Sequence, residues 1–222
     1  PFNHNIYPDR GGFAKRANIF KGLMKLNPNT LIFDAGDIFQ GTPYFNFFQG
    51  ELELNLMKKM GYNAATIGNH EFDAGLDILK RNILNNDFQF ISSNYDFTNT
   101  ALEGLVSRYK VYKKQNIKIG VFGLGIELNG LVNSSLYKET KYYDPIDISN
   151  EMTHKLKTEE KCDLIICISH LGHTYQDDKI SDLKLGSLTS DIDLIIGGHT
   201  HTLLKKPEIV KNSKNKDVII NQ

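Results

Sequence analysis

A chain of 222 residues, 40% hydrophobic and 23% charged, has the composition of an ordinary globular protein, long enough to bury a core without staples. Its 26 basic and 26 acidic side chains cancel, which removes any net field favouring nucleic acid or an anionic membrane. No apolar run approaches the ~20 residues needed to span a bilayer.

Helical and extended patterns alternate along the chain. GGFAKRANIFKGLMKLN has apolar residues at helical spacing and is stopped by Asn27-Pro28-Asn29. TLIFDAGD reads as a buried strand. ELELNLMKKMG is a helix closed by Gly61, and AATIGNH is the next strand. GLDILKRNILNN is an amphipathic helix, followed by the strand FQFISSN. RYKVYKKQNIKIGVFGL predicts a hairpin turning at Lys114-Gln115-Asn116. Pro145 to Glu160 is helical, CDLIICISH and DIDLIIGG are strands, and LLKKPEIVK with DVIINQ form a closing pair. Near-continuous apolar strands separated by helices predict an α/β protein with a sheet covered on both faces, and one domain over residues 1–222 is the simplest division.

Cys162 and Cys167 are five residues apart. On one continuous strand they fall on opposite faces about 16 Å apart, too far to bridge, and are expected as buried small hydrophobes.

The unusual polar residues fall at strand ends. TLIFDAGD ends on Asp37, AATIGNH on Asn69 and His70, CDLIICISH on His170, and DLIIGGHTH on His199 and His201. Sites in open α/β sheets form at that carboxyl edge, where the loops open together. Taken singly, Asp37 also suits a turn or helix cap, Asn69 an Asx turn and His170 a hydrogen-bonded structural role. Their recurrence at separate strand ends favours a shared site. One carboxylate, one amide and three imidazoles suit Zn, Mn, Fe or Ni better than Ca²⁺. Asp37 could bridge two ions, and a pair ~3.5–4 Å apart clamps both oxygens of a phosphoryl transfer and generates hydroxide near neutral pH. Gly36, Gly68, Gly197 and Gly198 are expected to let the backbone pass close by and to bend IGGHTH so that both imidazoles face the site.

DAGDIFQG, IGNHEFD, ISHLGH and IGGHTH, in this order, resemble the motif series of the calcineurin-like metallophosphoesterases. GGFAKRA, ISSN and KIGVFGL further resemble the 5′-nucleotidase branch. The resemblance covers nearly the whole chain. It implies a four-layer α/β/β/α sandwich with a binuclear centre of two divalent metal ions. Asp37 would bridge them, Asn69, His170 and His199 would hold one, and His201 would help hold the other. His70 would not be a ligand. It would act with Asp73 as a catalytic pair, Asp73 fixing its tautomer while the imidazolium stabilises developing charge or protonates the leaving oxygen. The substrate class implied is a small-molecule phosphate monoester, first of all a nucleotide.

The sequence departs from the family in two respects. The strand ending in Asp-x-His, which completes the second metal's ligands, is missing, and both chain ends read as cut. His4 has no acid at the required spacing and is expected as a loop residue near the site. His154 is expected to be exposed, and His173 could line the mouth of the site but is expected at the surface. The separate C-terminal domain that clamps the nucleobase is also missing. TPYFNFF could form a lid or an interface patch, although core packing is expected to take most aromatics. The competing class is a non-catalytic module that binds phosphate or nucleotide. Family membership alone suggests a periplasmic or cell-surface location.

Overall fold

The computed structural model describes residues 11–222, so His4 lies outside the described residues. The first helix, α1 (Phe13–Leu26), ends at Asn27, whose backbone turns extended while its N–H still reaches the Leu23 carbonyl. Strand β1 (Phe33–Asp34) pairs in parallel with β2 (Ala64–Ala65), and between them lie α2 (Pro43–Phe48) and α3 (Glu51–Met60). Gly61 closes α3 at φ 87°, a left-handed backbone that glycine adopts without a Cβ penalty. A 3₁₀ turn (His70–Phe72) precedes α4 (Leu76–Asn86).

Next come β3 (Tyr95–Asp96), β4 (Tyr109–Lys114) and β5 (Ile117–Leu124). The hairpin forms where the sequence places it, with Lys114 opposite Ile117 and Gln115 at φ 54°. After α5 (Ser134–Tyr137) and β6 (Lys141–Tyr142), Asp144 caps α6 (Pro145–Thr158) by accepting from the N–H groups of Ile146 and Asp147. The chain closes with β7 (Leu164–Ser169), α7 (Asp182–Leu188), β8 (Leu194–Gly197), β9 (Glu208–Lys211) and β10 (Asp217–Asn221).

The main sheet has the order β4-β5-β7-β8-β10-β9. Its four inner strands are parallel, and the edges β4 and β9 run antiparallel to their neighbours. Alternating burial along the strands generates the layers. Ala65, Ile67 and Phe90 face a core with Leu54 and Met57 of α3 and Leu76 and Leu79 of α4. Ala64 and Ile91 face the other way, against Val121 and Ile168 of the main sheet. Phe122 and Cys167, next to those two in sequence, face Met152 and Leu156 of α6 and Leu185 of α7. The result is helix, small sheet, large sheet, helix: an α/β protein of the expected sandwich type. Each fully buried Leu, Ile or Phe contributes about 1.5–3 kcal/mol by leaving water.

Several sequence expectations need correction. The small sheet is much shorter than TLIFDAGD and FQFISSN suggest. Backbone N–H groups just past β1 and β2 turn to a side chain described below, and FQFISSN contributes only isolated bridges at Phe90 and Ile91. Its next residues leave for other partners: Ser92 N–H donates to Ser107, Ser93 N–H to Gly123 of β5. Cys162 and Cys167 share one core instead of lying on opposite faces, because β7 starts only at Leu164 and Cys162 sits in the turn before it. Of the aromatics in TPYFNFF only Phe45 is buried, against Phe39, while Phe47 is 80% exposed. No helix among the described residues is long and apolar enough to cross a membrane.

Candidate metal centre

The strand-end residues follow the carboxyl edges of β1, β2, β7 and β8, on loops except for His70, which opens the 3₁₀ turn, as the α/β rule requires. Side-chain ligand atoms of Asp37, His170 and His199 converge within 4.8 Å of one another. The His170 ring is fully buried, with its centroid 5.1 Å from that of His199.

Hydrogen bonding tests whether this set fits a cation. His170 Nδ1–H donates to the Ala35 carbonyl at 2.6 Å, which puts the neutral ring's lone pair on Nε2. That Nε2 lies 2.9 Å from Asp37 Oδ2 yet lacks hydrogen-bond alignment with any group. His199 Nδ1 and Asn69 Oδ1 are likewise buried without a hydrogen-bond partner. Leaving such atoms buried and unpaired is costly, and these three belong to residues at the carboxyl ends of β2, β7 and β8. A divalent cation satisfies carboxylate, imidazole and amide oxygen together, so the donor set fits the group the sequence implies.

Electrostatics agree. Burial pushes His199 down to about 4, and the adjacent His170 adds to the depression, so its imidazole is neutral at physiological pH, as a ligand must be. Burial pushes Asp37 upward, but His170 and the N–H of His70 outweigh it and hold the carboxylate below its ordinary value. For His170 burial favours the neutral ring while Asp37 favours the charged one, and in the ion-free pair Asp37 prevails.

Backbone geometry supports the cluster closely. Asp37, His199 and His201 all have positive φ, at 58°, 71° and 52°. For non-glycine residues this costs on the order of 1–3 kcal/mol each and persists at sites that surrounding structure over-determines. The bend in IGGHTH therefore rests on the histidines themselves. Gly68, Gly197 and Gly198 serve close approach instead, and a Cβ on Gly68 would lie 2.4 Å from Asp37 Oδ1.

His201 is exposed and stands outside the convergent group. The other expected pair is formed: His70 Nδ1 lies 2.7 Å from Asp73 Oδ2, with the imidazole side chain 45% exposed. His154 is exposed on α6, as expected, but His173 is buried, with Nε2 3.4 Å from Glu208 Oε2.

Sequence reasoning missed Glu71. Its fully buried carboxylate accepts from the N–H groups of Ile38 (2.6 Å) and Phe39 (3.3 Å) through Oε1, and of Asp37 (2.9 Å) and Gly68 (2.6 Å) through Oε2. Burial, reinforced by the Asp37 charge, pushes it up to about 7 against those donors. Its signal in the sequence is an acid directly after Asn69-His70 in a segment that must be buried.

The family model described as calcineurin-like phosphoesterase matches residues 3–203. The chain is 33% identical to a trifunctional nucleotide phosphoesterase of Bacillus subtilis strain 168, covering 90% of this chain and 16% of that protein. It is also 33% identical to a 5′-nucleotidase of Vibrio vulnificus strain CMCP6, covering 96% of this chain and 40% of the other. Among solved structures, a 5′-nucleotidase precursor of Thermus thermophilus superposes with a TM-score of 0.87 at 31% identity, over 96% of this chain and 43% of that one. The chain thus spans less than half the length of each of these relatives. A match across most of the sequence, with the same fold, places this chain in the calcineurin-like phosphoesterase family.

Proposed function

We propose that this chain is the catalytic unit of a metal-dependent phosphoesterase acting on phosphate monoesters of nucleotides at a binuclear centre. The observation that carries this reading is the convergence of ligand atoms of Asp37, His170 and His199, with His199 Nδ1 buried and without a hydrogen-bond partner. Asn69 and His201 are the proposed further ligands, and Asp37 the proposed bridge. When bound, the ions supply Lewis acidity toward a phosphoryl oxygen and lower the pKa of coordinated water.

The protein's own residues do the rest. Asp37, Asn69, His170, His199 and His201 would hold the ions, and Glu71 ties the Asp37 loop to the Gly68 loop. Asp73 accepts from His70 Nδ1–H and orients the ring, so that in its imidazolium form the Nε2–H can stabilise charge on the phosphoryl group or pass its proton to the leaving oxygen. The nucleotide substrate is supported by the names of the relatives, the C-terminal partner domain by their greater length, and an exported, periplasmic or cell-surface location by the Thermus relative's being named a precursor.

The experiment is phosphate release from nucleoside monophosphates after loading with Mn²⁺ or Zn²⁺, in the wild type and in Asn69→Ala and His199→Ala. Both variants should lose hydrolysis, and wild-type turnover in either defeats the assignment. A second reading, a binding module with one ion, is favoured by the fact that only three donors group among the described residues. Elemental analysis separates the two: close to two ions per chain supports the enzyme, one or none the module.

A further inference from the structure

We infer that Gln222 and Thr200 are positioning residues for the metal centre, clamping the loop that carries His199 and His201 in its left-handed conformation. The inference rests on the metal reading above and extends it to the last strand of the sheet, whose residues lie outside the ligand-bearing loops. Asn221, the final residue of β10, pairs with Ile196 of β8, which sets Gln222 alongside the start of the loop.

The hydrogen bonds form a closed set. Thr200, between the two histidines, donates its hydroxyl proton to Gln222 Oε1 at 3.0 Å. Its oxygen accepts from the His173 N–H and from the Thr202 hydroxyl, both at 3.0 Å. One donor and two lone pairs are all a hydroxyl offers, and here each has a partner. Gln222 Nε2 donates to the carbonyl of Gly198, and the Gln222 carbonyl accepts from the N–H of Leu204 at 3.1 Å. The loop is therefore held before His199, between the histidines, and after His201.

The amide has a single workable orientation. Turned over, its oxygen would face the Gly198 carbonyl, two acceptors with no proton between them. This clamp holds two non-glycine residues at φ 71° and 52° that would relax toward ordinary backbone if released. Relaxation would swing His199 Nδ1 away from His170 and Asp37, so the clamp acts on ion affinity through backbone geometry.

The test uses Co²⁺ as the probe, titrated by calorimetry and followed by its visible absorption, which reports ligand geometry independently of turnover. Gln222→Glu replaces the donor facing Gly198 by an acceptor of nearly the same shape, and Thr200→Val removes only the hydroxyl. Both should weaken Co²⁺ binding about 10–100-fold, the usual effect of losing a group that orients a ligand. Both should also alter the visible bands, while Thr200→Ser, which keeps the hydroxyl, restores them. Circular dichroism establishes that each variant is folded, and if Gln222→Glu fails to fold, Thr200→Val carries the test. Wild-type affinity and spectrum in the folded variants overturn the inference while leaving the metal reading intact. A wild-type chain that takes up no Co²⁺, Mn²⁺ or Zn²⁺ overturns the metal reading and the inference with it.

Discussion

The carboxylate of Glu71 accepts a hydrogen bond from the backbone N–H of Asp37 at 2.9 Å across 34 residues of sequence. With Ile38, Phe39 and Gly68 as its other donors, this one side chain joins the loops after β1 and β2 and stands where further β-ladder would otherwise run. Glu71→Ala should strand these donors, and each that stays buried and unsatisfied costs about 1–3 kcal/mol. Urea unfolding should show a loss of several kcal/mol, with metal uptake lost in parallel. Glu71→Gln, which keeps the packing but turns an amide group toward N–H donors, should fall between. Wild-type stability in Glu71→Gln would mean that the two bonds to the replaced oxygen are dispensable.

The geometry of His70 and Asp73 separates chemistry from ion binding. Neither belongs to the convergent group, yet His70 Nδ1 and Asp73 Oδ2 lie 2.7 Å apart at the two ends of the adjoining 3₁₀ turn, which Asp73 caps. His70→Asn should lower kcat about 10²–10⁴-fold, the usual worth of a positioned acid or base, with metal content unchanged. Asp73→Asn should give a smaller drop in the same direction. Steady-state kinetics with elemental analysis of the same samples check this, and loss of metal in His70→Asn would make His70 a ligand instead.

Asp182, in the first turn of α7, is fully buried, and burial pushes its carboxyl up to about 7 while Ser169 and His170 pull it down. The ordinary value, 3.8, applies to the unfolded chain. Because the folded value is the higher one, the folded state keeps its proton longer. The stability this gives is full below about pH 4 and drains away as pH rises to about 7. Asp182→Asn has no such group. In metal-free protein its Tm relative to the wild type should therefore climb between about pH 4 and 7 and level off above. A difference constant across that range would show that Asp182 ionises alike in both states.

Most of the architecture was legible from the residues. Helices α1, α3, α4 and α6, the hairpin β4–β5 and the closing pair β9–β10 follow from periodicity and turn residues, because their stabilising bonds are local in sequence. The candidate ligands were legible as well, since Asp37, Asn69, His170 and His199 interrupt apolar strands at their carboxyl ends, where a buried polar side chain needs a reason.

What the tertiary structure decided involves partners far apart in sequence. The small sheet is short because Glu71 and Gly123 take up backbone groups that a local pattern assigns to strands. His173 is buried rather than at the surface, with Glu208 of β9 beside it, and Cys162 joins the core of Cys167 because β7 starts only after it. Sequence placed the bend of IGGHTH on its glycines. The fold puts the left-handed backbone on His199 and His201, where the bonds from Thr200 and Gln222 hold it. Composition and spacing determined which chemistry is present. Only the tertiary fold brought ligand atoms of Asp37, His170 and His199 within 4.8 Å of one another, and that convergence defines the candidate site.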